Sequence, residues 1–308
     1  MDVDTTVEAI RSMEIRGAGR IARAGASALA DYATNFKGND PKEFIAGIMD
    51  SKEKILGSRP TAVSLWNGVH ATIRGLDSCE TVDDIRTLVT TNAERFNQAS
   101  LDAVRTIGEI GAKRIQDGDV ILTHCNSSAA LSVIKTAFRQ GKKFRVYATE
   151  SRPWRQGILT VNDLAKEGVD ITLIIDSAVR SVMKSVTKVF VGADTITSHG
   201  SLVNKIGTSQ LALAANEARV QFYVCSETYK FSPMTLFGDM VTIEERDHDE
   251  VAKRDILDPA VKIFNPVFDS TPAKYIDGII TEVGLISPGS VYHVMTKQLG
   301  DDIFKLIG

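Results

Sequence analysis

The sequence predicts an α/β protein with two domains: an N-terminal all-helical domain over residues 1–116 and a C-terminal Rossmann-like domain over residues 117–308, built on a mostly parallel, doubly wound sheet. Three observations predict it. Up to about residue 116 the apolar residues recur at every third or fourth position, with no strand-like alternation. From Asp119 onward short β-branched runs alternate with amphipathic segments, which calls for crossover connections and hence parallel neighbours. The stretch from Val120 to Phe138 reads as strand, tight turn and helix in one unit.

In the first domain Val7, Ile10 and Met13, then Ile21, Ala24, Ala28, Leu29 and Tyr32, then Phe44, Ile45 and Ile48 keep helical spacing. Breaks fall at Arg16-Gly-Ala-Gly19, Lys37-Gly-Asn-Asp-Pro41 and Gly57-Ser-Arg-Pro60. A last helix runs from near Asp83 towards Ile115, with a weak point expected at Gly108 and Gly111. In the second domain the strands are expected at Val120–Thr123, Phe144–Ala148, Asp170–Ile174, Lys188–Val191 and Val220–Val224. Helical patterning covers Val161–Lys166, Ser177–Met183 and Ser209–Asn216. The charge run Glu244–Glu250 reads as a solvated loop, and Asn265–Pro272 as a loop ending in a cap followed by proline. Tyr275–Ile280 is apolar, and the last helix is expected from about Ser290 to Gln298.

Composition narrows the function classes. At 308 residues, with 43% hydrophobic and 24% charged residues, the chain can bury a sizeable core without staples. No apolar run is long enough to span a bilayer and the first residues are acidic, so a cytoplasmic protein is expected, with no membrane partner. A formal charge of −3 gives no footprint for nucleic acid. Cys79, Cys125 and Cys225 are far apart and odd in number, which suits reduced thiols. The five histidines form no H-x-x-H or H-E-x-x-H arrangement, so no metal site is expected. Arg16-Gly-Ala-Gly19 lacks the spacing and the preceding strand of a dinucleotide fingerprint, and there is no phosphate-binding G-x-x-x-x-G-K-[ST] loop.

The chemistry-bearing residues fall at the carboxyl ends of the expected strands, where open parallel sheets bind ligands. Cys125 follows the first strand, Thr149-Glu-Ser-Arg-Pro153 the second, Asp176 the third, Asp194 the fourth, and Ser226 to Lys230 the fifth. Ser127 and Ser128 cap a helix, so Cys125 is expected to face backbone N–H groups and the positive end of a helix dipole, both of which favour thiolate. The bland alternative is an inert buried cysteine. Asp194 follows an apolar strand and Gly192-Ala193; a carboxyl half in an apolar wall has a raised pKa and serves as an acid near neutrality, or else it is a capping aspartate. Asn204 and Lys205 offer an amide and an ammonium beside a helix start, suited to a hydroxyl and an anion, against the alternative of an ordinary loop and cap. Arg16, Arg59 and Lys230 are further cations, each by itself more often a surface charge.

Seven ordered motifs resemble a known superfamily: Arg16-Gly-Ala-Gly19, Arg59-Pro-Thr-Ala-Val63, Leu122-Thr-His-Cys-Asn126, Glu150-Ser-Arg-Pro-x-x-Gln-Gly157, Gly192-Ala-Asp194, Asn204-Lys-Ile-Gly-Thr208 and Asn265-Pro-x-Phe-Asp-x-Thr-Pro272. It is the superfamily that joins sugar-phosphate isomerases to the regulatory subunits of translation initiation factor 2B. Within it the chain most resembles the archaeal ribose-1,5-bisphosphate isomerases. Regulatory subunits generally lack the Cys and Asp pair, which is present here as Cys125 and Asp194. Methylthioribose-1-phosphate isomerases keep the pair but typically carry Arg-Gly-Ala-Pro at the first motif and Thr or Ala, then Gly, after the Cys-Asn. This chain has Gly19 and Ser127-Ser128 at those places.

The resemblance implies isomerisation of ribose 1,5-bisphosphate to ribulose 1,5-bisphosphate, with Cys125 and Asp194 catalytic. It implies substrate contacts from Arg16, Gly17, Ala18, Gly19 and Arg59, a phosphate cradle at Ser127, Ser128 and Ala129, and further grip from Asn204, Lys205 and Lys230. It implies no metal or redox cofactor, AMP as an activator, and a homo-oligomer of dimers assembled into a hexamer. The runner-up readings it leaves are the methylthioribose isomerase and a non-catalytic regulatory subunit.

Overall fold

A computed structural model describes residues 1–238 and 241–299. It divides into two compact units that meet inside one helix, at Ala103 and Val104.

The first unit is helical. It comprises α1 (Val3–Arg11), α2 (Ala18–Asn35), α3 (Pro41–Ser58), α4 (Val63–Ile73) and most of α5 (Val82–Ala112). The starts of α1 and α3 are set by Asp2 and Asp40, whose carboxylates accept the N–H groups of Thr5 and Lys42, and Pro41 at the first position of α3 suits its fixed φ. The helical periodicity buries Ile21, Leu29, Phe44, Ile48, Ile55, Leu65, Val69, Ile85 and Val89 in one core. Gly25 on α2 lets α4 approach, since a Cβ there would lie 2.6 Å from Leu65 Cδ1. Phe36 stacks on Phe44 with ring centroids 4.1 Å apart.

The second unit is a seven-stranded sheet in the order β11-β10-β7-β4-β1-β2-β3. Its strands are β1 (Val120–Thr123), β2 (Arg145–Thr149), β3 (Asp170–Ile174), β4 (Lys188–Val191), β7 (Gln221–Cys225), β10 (Gly278–Thr281) and β11 (Gly284–Ile286). All neighbours pair in parallel except β10 with β11. The intervening helices are α6 (Ser128–Arg139), α7 (Gln156–Lys166), α8 (Val179–Val182), α9 (Thr208–Ala218) and α10 (Val291–Leu299). Alternation along the strands sends Leu122, Val189, Val191 and Val224 into one core with Met183, Leu211 and Val291, and Ile121, Phe190, Tyr223 and Ile280 into another with Ile134, Ala137 and Leu164. The sheet is therefore covered on both faces, as the sequence predicts.

Two expectations are corrected. The helix α5 runs unbroken through Gly108 and Gly111, because those glycines make room for α6: a Cβ at either would overlap Ser132 or Val133. The compact units divide at Ala103, and Ile107, Ala112 and Ile115 belong to the core beneath α6. A second, four-stranded sheet, β8-β5-β6-β9, stands where the sequence predicts no strand. It consists of β5 (Thr195–Thr197), β6 (Leu202–Lys205), β8 (Phe231–Ser232) and β9 (Phe268–Thr271). Strands of two to four residues carry too little alternation to register as a pattern; β9, inside the expected Asn265–Pro272 loop, is held by its backbone pairing with β6.

Candidate active site

The chain order of the main sheet reverses between β1 and β4: β2 and β3 lie to one side of β1, and β7 and β10 to the other. Such a switch point opens a crevice at the carboxyl ends of the two central strands. Cys125 leaves the end of β1 and Asp194 the end of β4, and these strands are hydrogen-bonded neighbours in register Leu122 to Val189.

Cys125 has φ 66, a left-handed conformation. Its N–H donates to Ser151 Oγ at 2.8 Å, and its carbonyl accepts from Thr160 Oγ1 at 2.7 Å. Two residues on, Ser127 accepts the Ala130 N–H with its hydroxyl and starts α6, as expected for a cap. Gly192, between β4 and Asp194, has no room for a side chain because a Cβ would overlap Ser127 Oγ. The end of β4 is thus packed against the cap of α6.

The thiolate expectation is corrected. Burial pushes the Cys125 thiol up to about 11; Lys205 pulls it down, Asp194 pushes it up, and the Asn126 N–H pulls it down. The N–H group and the cation anticipated from the sequence are present, but removal from water outweighs them. The same couplings show which predicted residues are neighbours: Lys205 and Asp194 act on Cys125, and Asp194 acts on Lys230.

Lys205, at the end of β6, is buried and lies over the Phe268 ring, 5.8 Å from its centroid. Asn204 beside it is buried, and its amide donates to Thr208 Oγ1 at 3.0 Å while that hydroxyl donates to the Lys205 carbonyl. Lys230 follows β7 and is buried 2.7 Å from Glu227 Oε2. Burial pulls its pKa down, but Glu227, Tyr229 and Asp194 raise it further, so it is a fixed cation. Ser127, Ser128 and Ala129 form the first turn of α6 and its cap.

The remaining predicted residues belong to the first unit. Gly17 precedes α2 with φ 91, Ala18 and Gly19 begin that helix, and Arg16 lies exposed just before it. Arg59 ends α3 and points a guanidinium nitrogen at Met13 Sδ, 3.8 Å away, while Ser64 at the start of α4 donates to the Ala18 carbonyl at 3.0 Å. These contacts gather the two N-terminal motifs at one place in that unit.

Two residues near the strand ends, His124 and Asp269, have roles that the sequence reading missed. His124 is buried between Thr149 Oγ1 at 2.5 Å and the Ile206 carbonyl at 2.8 Å, and burial lowers its pKa, so the ring is neutral. A neutral ring facing a carbonyl carries its proton on Nε2, which leaves Nδ1 to accept from Thr149. Asp269 on β9 accepts the N–H groups of Gly207 and Ser209 at 2.7 and 3.1 Å and so anchors the start of α9; burial raises its pKa to about 6. Its place within Asn265-Pro-x-Phe-Asp-x-Thr-Pro272 was the only available signal.

Among the described residues no helix is long and apolar enough to cross a membrane. Two curated relatives are similar over nearly the whole chain. A ribose 1,5-bisphosphate isomerase of Archaeoglobus fulgidus is 54% identical over 97% of this chain and 94% of its own, and one of Methanocaldococcus jannaschii is 50% identical over 97% and 96%. Among solved structures, a Pyrococcus horikoshii protein titled translation initiation factor eIF-2B has a TM-score of 0.80 at 35% identity, covering 93% of this chain and 97% of that one. The initiation factor 2 subunit family matches residues 14–288, and with that match and these relatives the chain belongs to the initiation factor 2 subunit family.

Proposed function

We propose that this protein is an enzyme that isomerises ribose 1,5-bisphosphate to ribulose 1,5-bisphosphate, using Cys125 as base and Asp194 as acid. The observation that supports the reading is that the thiol and the carboxyl follow the ends of paired strands, close enough for Asp194 and Lys205 to act on the thiol and for Asp194 to act on Lys230. The names of the two relatives at 50% identity and above support the same substrate.

Asp194 donates a proton to the ring oxygen as the furanose opens. The Cys125 thiolate removes the C2 proton, and the electron pair forms the C1–C2 double bond of a phosphorylated enolate-type intermediate. The Cys125 thiol returns its proton to C1 while the C2 hydroxyl passes its proton to the Asp194 carboxylate and becomes the carbonyl, so both groups end as they began and the isomerisation leaves no net change in atoms or electrons. Lys205 and the first turn of α6, with Ser127, Ser128 and Ala129, suit one phosphate, since a helix start offers N–H groups and positive potential. Arg16, Gly17, Ala18, Gly19 and Arg59 are the proposed substrate contacts of the first unit, Asn204 orients a hydroxyl, and Lys230, a cation paired with Glu227, completes the grip on the substrate. By the resemblance, the enzyme assembles as a homohexamer in the cytoplasm and is activated by AMP.

Parallel assays of purified protein on ribose 1,5-bisphosphate and methylthioribose 1-phosphate test the reading. Preference for the bisphosphate is expected. Preference for the methylthio sugar transfers the same acid–base pair to the other isomerase, and binding without turnover makes the chain a regulatory subunit.

A further inference from the structure

The Cys125 backbone stands in a conformation that residues with a Cβ rarely adopt, and two side-chain hydroxyls hold it there from opposite sides. Ser151 Oγ accepts the Cys125 N–H, and Thr160 Oγ1, which also accepts from the Asn126 amide, donates to the Cys125 carbonyl. Both hydroxyls are buried. Ser151 is itself left-handed, with φ 62, and is fixed in turn: its N–H and that of Arg152 donate to the two carboxylate oxygens of Asp176, each at 2.8 Å. Its hydroxyl also lies 3.3 Å from His124 Nδ1 and 3.2 Å from Thr149 Oγ1. The loops after β2 and β3 and the helix α7 therefore converge on the backbone of one residue, holding the peptide units on both sides of it.

We propose that Ser151 and Thr160 are positioning residues that clamp the Cys125 backbone at its N–H and its carbonyl and thereby aim the thiol at the substrate carbon. The inference rests on the proposed function, in which that thiol is the base. Neither residue touches a reacting atom. The groups that face the thiol are Lys205, Asp194, Asp176 and the Asn126 N–H, so a clamp that slips changes the distance to all four at once. A relaxed turn also relieves burial, the dominant influence on the thiol. Loss of the clamp therefore yields a more ordinary thiol and a poorer enzyme.

The test uses the full chain with Cys79→Ser and Cys225→Ala, so that alkylation by iodoacetamide reports on Cys125 alone. Thr160→Val removes one hydroxyl at nearly constant volume, Thr160→Ser restores it, and Ser151→Gly removes the other while keeping a residue at ease with positive φ. For Thr160→Val and Ser151→Gly, kcat on ribose 1,5-bisphosphate falls by about tenfold or more with KM within about threefold. The pH midpoint of alkylation moves down by about half a unit or more towards an ordinary thiol. Thr160→Ser restores both. Unchanged kcat, or a fall in kcat with an unmoved alkylation midpoint, overturns the proposal. Alkylation needs no substrate, so if the wild-type chain does not turn over the bisphosphate, a moved midpoint still upholds the clamp and an unmoved one removes it. If Ser151→Gly does not fold, the Thr160 pair decides.

Discussion

Gly192 lies against Ser127, and this contact ties the end of β4 to the cap of α6. A methyl group at Gly192 would occupy the space of the Ser127 hydroxyl, so Gly192→Ala displaces the side chain that accepts the Ala130 N–H. Loss of that cap costs about 1 kcal/mol of stability, and the shift of both strand ends lowers kcat/KM by about a hundredfold. Denaturant unfolding and steady-state kinetics on one preparation check both numbers.

Gly157, at the start of α7, packs on the loop after β2 so closely that a Cβ would overlap the Thr149 carbonyl. Backbone cannot step aside as a flexible side chain does. Gly157→Ala therefore destabilises by about 2 kcal/mol or more, whereas Gly57→Ala, in the last turn of α3 with open space around it, is neutral or stabilising by up to about 1 kcal/mol. Paired urea melts of the two variants distinguish these outcomes.

With its thiol pushed up to about 11, Cys125 is mostly protonated at neutrality, and the activity of the wild type rises with pH from 7 towards 9 as the base ionises. Lys205 opposes that shift, so Lys205→Met raises the thiol further. Alkylation of Cys125 at pH 8.5, read by mass spectrometry without substrate, slows by about threefold or more in the variant.

Asp269 is an acid whose folded-state pKa, about 6, lies above its ordinary 3.8. Its contribution to stability is fully present below pH 4 and is lost as pH rises through 6, because folding holds a proton that the unfolded chain releases. The loss amounts to at most about 3 kcal/mol. The stability of the wild type relative to Asp269→Asn therefore falls between pH 4.5 and 7.5, as measured by unfolding midpoints at the two values.

Much of this was legible in the sequence because the signals were long or strong. Helical spacing around Ile10, Ile21 and Phe44 covers whole turns, and β-branched runs such as Val120–Thr123 sit between clear turn residues. The strand ends follow from chain order, which points to Cys125 and Asp194, whereas Lys205 stands out only as an ammonium beside a helix start. What escaped depends on partners distant in sequence. His124 and Ile206 are 82 positions apart, Asp269 and Gly207 62 apart, and the small sheet joins strands too short to show a period. The ionisation of Cys125 was misjudged for the same reason: local N–H groups can be read from the sequence, but burial is a property of the whole unit.

The most direct measurement is turnover of ribose 1,5-bisphosphate by the wild type, Cys125→Ser and Asp194→Asn at equal enzyme concentration. Loss of one proton-transfer group is expected to lower kcat by about a hundredfold or more in each variant while substrate binding persists. Near-normal turnover in either variant would contradict the assignment of base and acid on which the account stands.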